Sequence, residues 1–183
     1  MSQFEFIFVL VSIVLALALT RLLDGLSHVL QARLRQHQRI DAAHLGFSIA
    51  VVVLLIIVWW ALFRWGSDSA WNYPKYLVII LHMASFYALA AILYPGRESE
   101  VPAFQEIRSS FYVVFAANTL LEILHTYMLG ALFQPWYYLP TTGLQAAMCL
   151  VGLLAQRRRV DLMIGWTVVA FFVVWPFAAR FTL

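Results

Sequence analysis

The chain has 183 residues, of which 63% are apolar, 16% aromatic and 11% charged, far from the roughly 25% charged composition of soluble domains. Its net charge of +3 is small, and its basic residues fall in short clusters between apolar runs. That pattern excludes a nucleic-acid-binding surface and indicates an integral membrane protein. The lone cysteine, Cys149, lies in an apolar run, which excludes an intrachain disulfide and a Cys-x-x-Cys metal or redox motif.

Six apolar runs are long enough to cross a ~30 Å hydrocarbon core, for which about 20 helical residues suffice. The first is Phe4–Leu30. Ala16-Leu17-Ala18 has the small-residue pattern of a cleavage site, but Glu5 is the only charge before Arg21. The positive n-region of a cleavable signal is therefore missing, and a retained helix is expected. The second run, His44–Trp65, follows a basic connection containing Arg33, Arg35, His37 and Arg39 and is closed by Gly66-Ser67-Asp68-Ser69. The third, Tyr76–Tyr94, contains His82 and stops at Pro95-Gly96. The stretch Glu98–Arg108, with Glu100, Pro102 and Glu106, reads as a cytoplasmic connection. The fourth run, Ser110–Phe133, carries Asn118, Glu122 and His125 and is broken by Gln134-Pro135-Trp136. The fifth, Thr141–Ala155, is short; it gains length by borrowing Pro140 and Thr141 at one end or running into Gln156 at the other. The sixth is Leu162–Phe181, which Trp175-Pro176 is expected to kink or end.

The expected fold is all-α, a bundle of six transmembrane helices forming a single domain over 1–183. Arg33, Arg35 and Arg39, then Arg97 and Arg108, then Arg157, Arg158 and Arg159 all fall on one side, against Arg64, Lys75 and Arg180 on the other. By the positive-inside rule both termini face out. Trp59, Trp60, Trp65, Trp71, Tyr73, Trp136, Tyr137 and Tyr138 gather at the outer ends, as an interfacial belt does. Leu22-Leu23-Asp24 can be laid on Leu120-Leu121-Glu122, a faint sign of an inverted 3+3 repeat. In texture the opening resembles small bacterial membrane proteins, which implies a bacterial inner membrane.

Two runs carry ionisable residues in helical register. Arg21 and His28 lie about 20° apart around a helix with Asp24 beside them, and Asn118, Glu122 and His125 fall within about 60°. In hydrocarbon each charged residue costs roughly 2.5–3.5 kcal/mol on insertion scales, so such stripes face a polar interior. The helical rise puts His82 ~10 Å and His125 ~12 Å below the outer surface, depths at which they can meet. Gln145 enters at a similar depth. Read inward, the order is His82, His125 and Gln145, then Glu122, Asn118, Arg21, Asp24 and His28.

Such a column can conduct protons, an ion or a small polar solute, with Glu122 as its switchable group. The competing reading is structural: Arg21 and Asp24 neutralise each other, and Glu122 joins helices through a hydrogen bond, as in an accessory subunit. Haem b is a further alternative, held by His82 with His125 and by His28 with His44, the two-histidine arrangement of helical bundles. A metal ion on His82, His125 and Glu122 is chemically feasible too. Hydrolase and nucleotide-binding motifs are absent, which argues against an enzyme. The expected partners are the lipid bilayer, further copies of the chain or another membrane protein.

Overall fold

The computed structural model describes residues 3–36, 40–62, 71–96, 101–130, 132, 136 and 138–178, with side chains at all of these except 3, 4, 36 and 176–178. Six α-helices and no strand occupy them. They are α1 (Gln3–Gln36), α2 (Ala42–Leu62), α3 (Tyr73–Leu93), α4 (Phe104–Met128), α5 (Tyr138–Ala155) and α6 (Arg158–Ala178). Helices α1 to α5 are each long and apolar enough to cross a membrane, as an integral membrane protein requires.

The helix ends differ from the apolar runs because a helix continues by its own hydrogen bonds after the hydrocarbon ends. Six polar or charged-flanked residues prolong α1 from Leu30 to Gln36. Helix α4 starts at Phe104 rather than Ser110, so Arg108 belongs to a helix and not to a connection. It stops at Met128, before Gln134-Pro135-Trp136: the Leu129 N–H bonds back to the His125 carbonyl, and Gly130 takes φ +72°, a left-handed conformation that glycine adopts without a Cβ clash. Helix α5 does take in Pro140 and Thr141, starting at Tyr138. Helix α6 runs past Trp175-Pro176 to Ala178, so that pair does not end it. The sequence assigned Arg39, Arg64, Trp65, Arg97, Tyr137 and Arg180 to membrane edges; all six lie outside the described residues, as does His37.

One end of the bundle gathers the N-termini of α2, α4 and α6. Asp41 organises it: one carboxylate oxygen accepts from the Ala43 N–H at 3.1 Å, capping α2, and the other accepts from the Phe104 N–H at 3.0 Å, at the start of α4. Arg158, in the first turn of α6, pairs with the same carboxylate at 3.6 Å. The exposed Arg33 and Arg35 lie at the end of α1 near this level, and we call it the basic end. At the opposite end Asn72 caps α3 by accepting from the Lys75 N–H at 3.0 Å, with Pro74 in the first turn.

Helix α3 is central, with α1 and α4 both packed along it, while α2 lies along α6 and α5 along α4. Small residues set the closest approaches. A Cβ on Gly165 of α6 would lie 3.4 Å from the Phe47 backbone nitrogen of α2, and one on Gly46 of α2 would lie 3.3 Å from the Trp166 indole nitrogen. Above the basic end, Phe47 stacks on Phe104 at 4.4 Å between ring centres and meets Phe111 at 4.8 Å and Tyr112 at 5.6 Å. Phe111 continues this aromatic core to Phe115 at 5.7 Å.

Candidate functional site

Polar residues inside the bundle form three groups, and the first is the α1 stripe. Arg21 does not pair with Asp24. Its guanidinium reaches the end of α3 instead, donating from Nε to the Tyr94 carbonyl at 2.8 Å and from Nη2 to the Pro95 carbonyl, 2.6 Å away. Nη1 donates to the Tyr87 hydroxyl at 2.9 Å, and the guanidinium lies over the Tyr87 ring. A cation there satisfies carbonyls that a helix C-terminus leaves open and complements its dipole. Asp24 has His28 within 3.9 Å, one turn on, with both side chains partly exposed. Arg21, Asp24, Gly25, His28, Tyr94, Pro95, Gly96 and Val101 line an open cleft of about 340 Å³. The Tyr94 ring lies flat on Gly25, where a Cβ would come within 2.2 Å of it.

His44 does not face this cleft as a free ligand. It is buried, shares a 3.0 Å hydrogen bond between Nε2 and the Leu93 carbonyl, and meets the Tyr94 ring edge-on. The Tyr94 hydroxyl in turn bonds Ser48 at 2.9 Å.

The second group was not anticipated. Arg108 and Asp161 form a buried ion pair at 3.1 Å, and Arg108 also donates to the Gly152 carbonyl, 2.6 Å away. Tyr112 and Gln105 each donate to Asp161, at 2.9 and 2.6 Å. One cluster therefore binds α4, α5 and α6 together at the basic end. A signal was present: Gln105, Arg108 and Tyr112 follow i, i+3, i+7 spacing, one helix face. It became visible only if α4 began before Ser110.

The third group is the α4 stripe with its neighbours, lying on the far side of α3 from α1. His82 of α3 and His125 of α4 come together, fully buried, with ring centres 6.2 Å apart and planes tilted by 53°. Neither ring nitrogen of His82 has a hydrogen-bond partner among the described residues. The Phe86 ring stands 5.5 Å from it, and Ile79 and Met83 of the same helix are buried too. Asn118 donates to the Ser85 hydroxyl at 2.8 Å, and Ser85 donates to the His82 carbonyl at 2.6 Å. Gln145 of α5 donates to Thr119 at 2.8 Å. Glu122 is half-buried; Tyr138 donates to its backbone carbonyl at 3.2 Å, while its carboxylate has no hydrogen bond or ion pair among the described residues.

The structure thus brings His82, His125, Asn118, Glu122 and Gln145 into one layer spanning α3, α4 and α5, and leaves Arg21, Asp24 and His28 in a separate cleft. Between layer and basic end the core is filled by Phe86, Phe111 and Phe115, each at most 1% exposed. The single continuous column expected from depth alone is interrupted there.

Neither histidine pair suits a porphyrin as it stands: α3 and α4 pack directly on each other, and the Nε2 of His44 is already engaged by the Leu93 carbonyl. Among the described residues no three of histidine, cysteine, aspartate and glutamate converge to hold a metal ion, so the set of His82, His125 and Glu122 does not form a three-ligand centre. No protein-family model, curated protein or solved structure matches the chain.

Proposed function

We propose that this protein is a transporter, with six membrane spans counting α6, that carries protons, an ion or a small polar solute. The observation that carries the reading is the layer of His82, His125 and Glu122: two buried imidazoles, of which His82 has no hydrogen-bond partner at either ring nitrogen among the described residues, beside a half-buried carboxylate. Burying such groups costs free energy that a purely structural role would recover through partners, as Arg108 and Asp161 do. Groups left open in a membrane interior are suited to take up and release a charged or polar cargo.

The aromatic block between this layer and the cleft at Arg21 supports a transporter that alternates access rather than an open channel. In this reading the basic end is cytoplasmic, both termini are outside, and the membrane is the bacterial inner membrane. Further copies of the chain are the proposed partners, since six helices enclose little volume around the layer.

Proteoliposome flux tests the proposal. Glu122→Gln, which keeps the shape and removes the charge, is expected to lower flux at least ~10-fold, while Asp24→Asn reports on the cleft. Wild-type flux in both variants overturns the reading.

A further inference from the structure

Helix α1 turns one face inward, burying Ile7, Val11, Leu15, Ala18 and Leu22. Its opposite face is unpartnered among the described residues: Phe6, Val9, Ile13, Leu23, Leu30 and Leu34 are each 52–70% exposed there. With the exposed Ala16, Thr20 and Ser27 between them, they repeat at alternating steps of three and four residues, the 3.5-residue period of a left-handed coiled-coil seam. The Thr20 and Ser27 hydroxyls donate to the Ala16 and Asp24 carbonyls of their own helix, each at 2.8 Å. These short side chains therefore need nothing across the seam and let two backbones come close.

Hydrocarbon covers only part of this stripe. Toward the N-terminal end Phe8 meets Trp59 at 5.7 Å between ring centres, and ~30 Å of hydrocarbon counted from there along α1 ends by about His28. Arg21 is already level with the end of α3, whose terminal carbonyls it binds. Leu30 and Leu34 lie ~14 and ~20 Å farther along the helix, beyond the reach of acyl chains, and leucines held in water favour a partner that covers them. The outer face of α4 has the same spacing at Val113, Leu120, Leu124 and Tyr127, but it stays within the span, where lipid is cover enough.

The stripe fits a second copy of itself. Copies inserted in one membrane share an orientation, so two α1 helices meet parallel, each position facing its twin at the same depth. Lettered as heptads, the stripe has Ile13 at an a position and Leu23 and Leu30 at d positions, the choice that favours two parallel strands. At ~90 Å² per side chain the stripe offers ~800 Å² on each copy, the area per partner of a standard specific interface. Arg33 flanks the stripe on one side only, so two-fold pairing sends the two copies of that charge to opposite sides of the seam.

We propose that two copies of the chain pair through α1, as a parallel two-stranded seam from Phe6 to Leu34 that continues past the bilayer at Leu30 and Leu34. The seam rests on the membrane-spanning reading and on the association of copies proposed above; it does not depend on what is carried.

Disulfide trapping of the full-length protein in native membranes tests the seam. Leu30→Cys and Leu34→Cys should each form a covalent dimer at least ~10-fold faster than Arg35→Cys, which is exposed on the same turn but off the stripe. The wild type, with its buried Cys149, sets the background. Leu30→Glu combined with Leu34→Glu, both outside the hydrocarbon, should raise the dimer dissociation constant at least ~100-fold, read by energy transfer between labelled copies diluted in liposomes. Equal trapping at Arg35→Cys, a trapped product whose mass is not twice that of the chain, or a wild type that is monomeric in liposomes at every dilution overturns the seam, and the wild-type measurement stands even if the variants fail to fold. A dimer without flux supports the seam and removes the transport reading. Flux from a protein monomeric in liposomes does the reverse.

Discussion

Asp161 is completely shielded and accepts four hydrogen bonds, two from Arg108 and one each from Tyr112 and Gln105. Removing one member of a buried ion pair strands the other charge, which costs about 3–5 kcal/mol, whereas replacing both by apolar groups is often neutral. Asp161→Ala is therefore expected to destabilise the protein by that amount in a detergent unfolding titration, and Arg108→Met with Asp161→Leu to recover most of it. Equal stability of Asp161→Ala and wild type would show that the pair locks nothing. Arg21 has the opposite lesson. Its spacing to Asp24 is right for an ion pair, yet three groups at the end of α3 take its guanidinium. Local register identifies which residues share a face of α1, but the carbonyls of Tyr94 and Pro95 are 73 and 74 residues away, and only packing of α1 on α3 brings them in. The meeting of His82 and His125 was legible for a simpler reason: depth below the membrane edge follows from the rise per residue, and both count from the same surface.

At the scale of helices, Gly152 and Tyr112 determine how α5 seats against α4. A Cβ at Gly152 would fall 2.2 Å from the Tyr112 ring, which cannot swing away without losing its bond to Asp161. Gly152→Ala should thus cost about 1–3 kcal/mol through overpacking. Gly143, on the same helix, has nothing within 4 Å of its would-be Cβ, so Gly143→Ala should stabilise by up to about 1 kcal/mol through helix propensity. The two substitutions compared in one thermal unfolding assay separate packing from propensity; similar shifts for both would refute the close approach. All six helices were legible as apolar runs, and α1 to α5 have the length and apolarity of a bilayer crossing, which demands about 20 apolar residues. Their ends were not: Gln105, Glu106 and Arg108 are polar and look like a connection, yet the backbone of α4 is already helical through them.

For the molecule as a whole, the polar groups sort by end. The ion-pair cluster, the double cap at Asp41 and the Arg21 cleft gather toward the basic end, while the His82–His125 layer lies beyond the aromatic core of Phe86, Phe111 and Phe115. In the transport reading proposed above, α3, α4 and α5 would move past one another at the layer, where Asn118 joins α4 to Ser85 of α3 and Gln145 joins α5 to Thr119 of α4. That reading also sets which end faces the cytoplasm, and the chain offers a clean measurement. Its one cysteine, Cys149, is buried, so the wild type should give little background with a membrane-impermeant maleimide. Arg33 at the basic end and Tyr73 and Trp136 toward the other are exposed, the last two at 72% and 77%. In whole cells Tyr73→Cys and Trp136→Cys should label and Arg33→Cys should not; after the cells are opened all three should. Labelling of Arg33→Cys in intact cells would invert the protein and make the Arg21 cleft the outward-facing one.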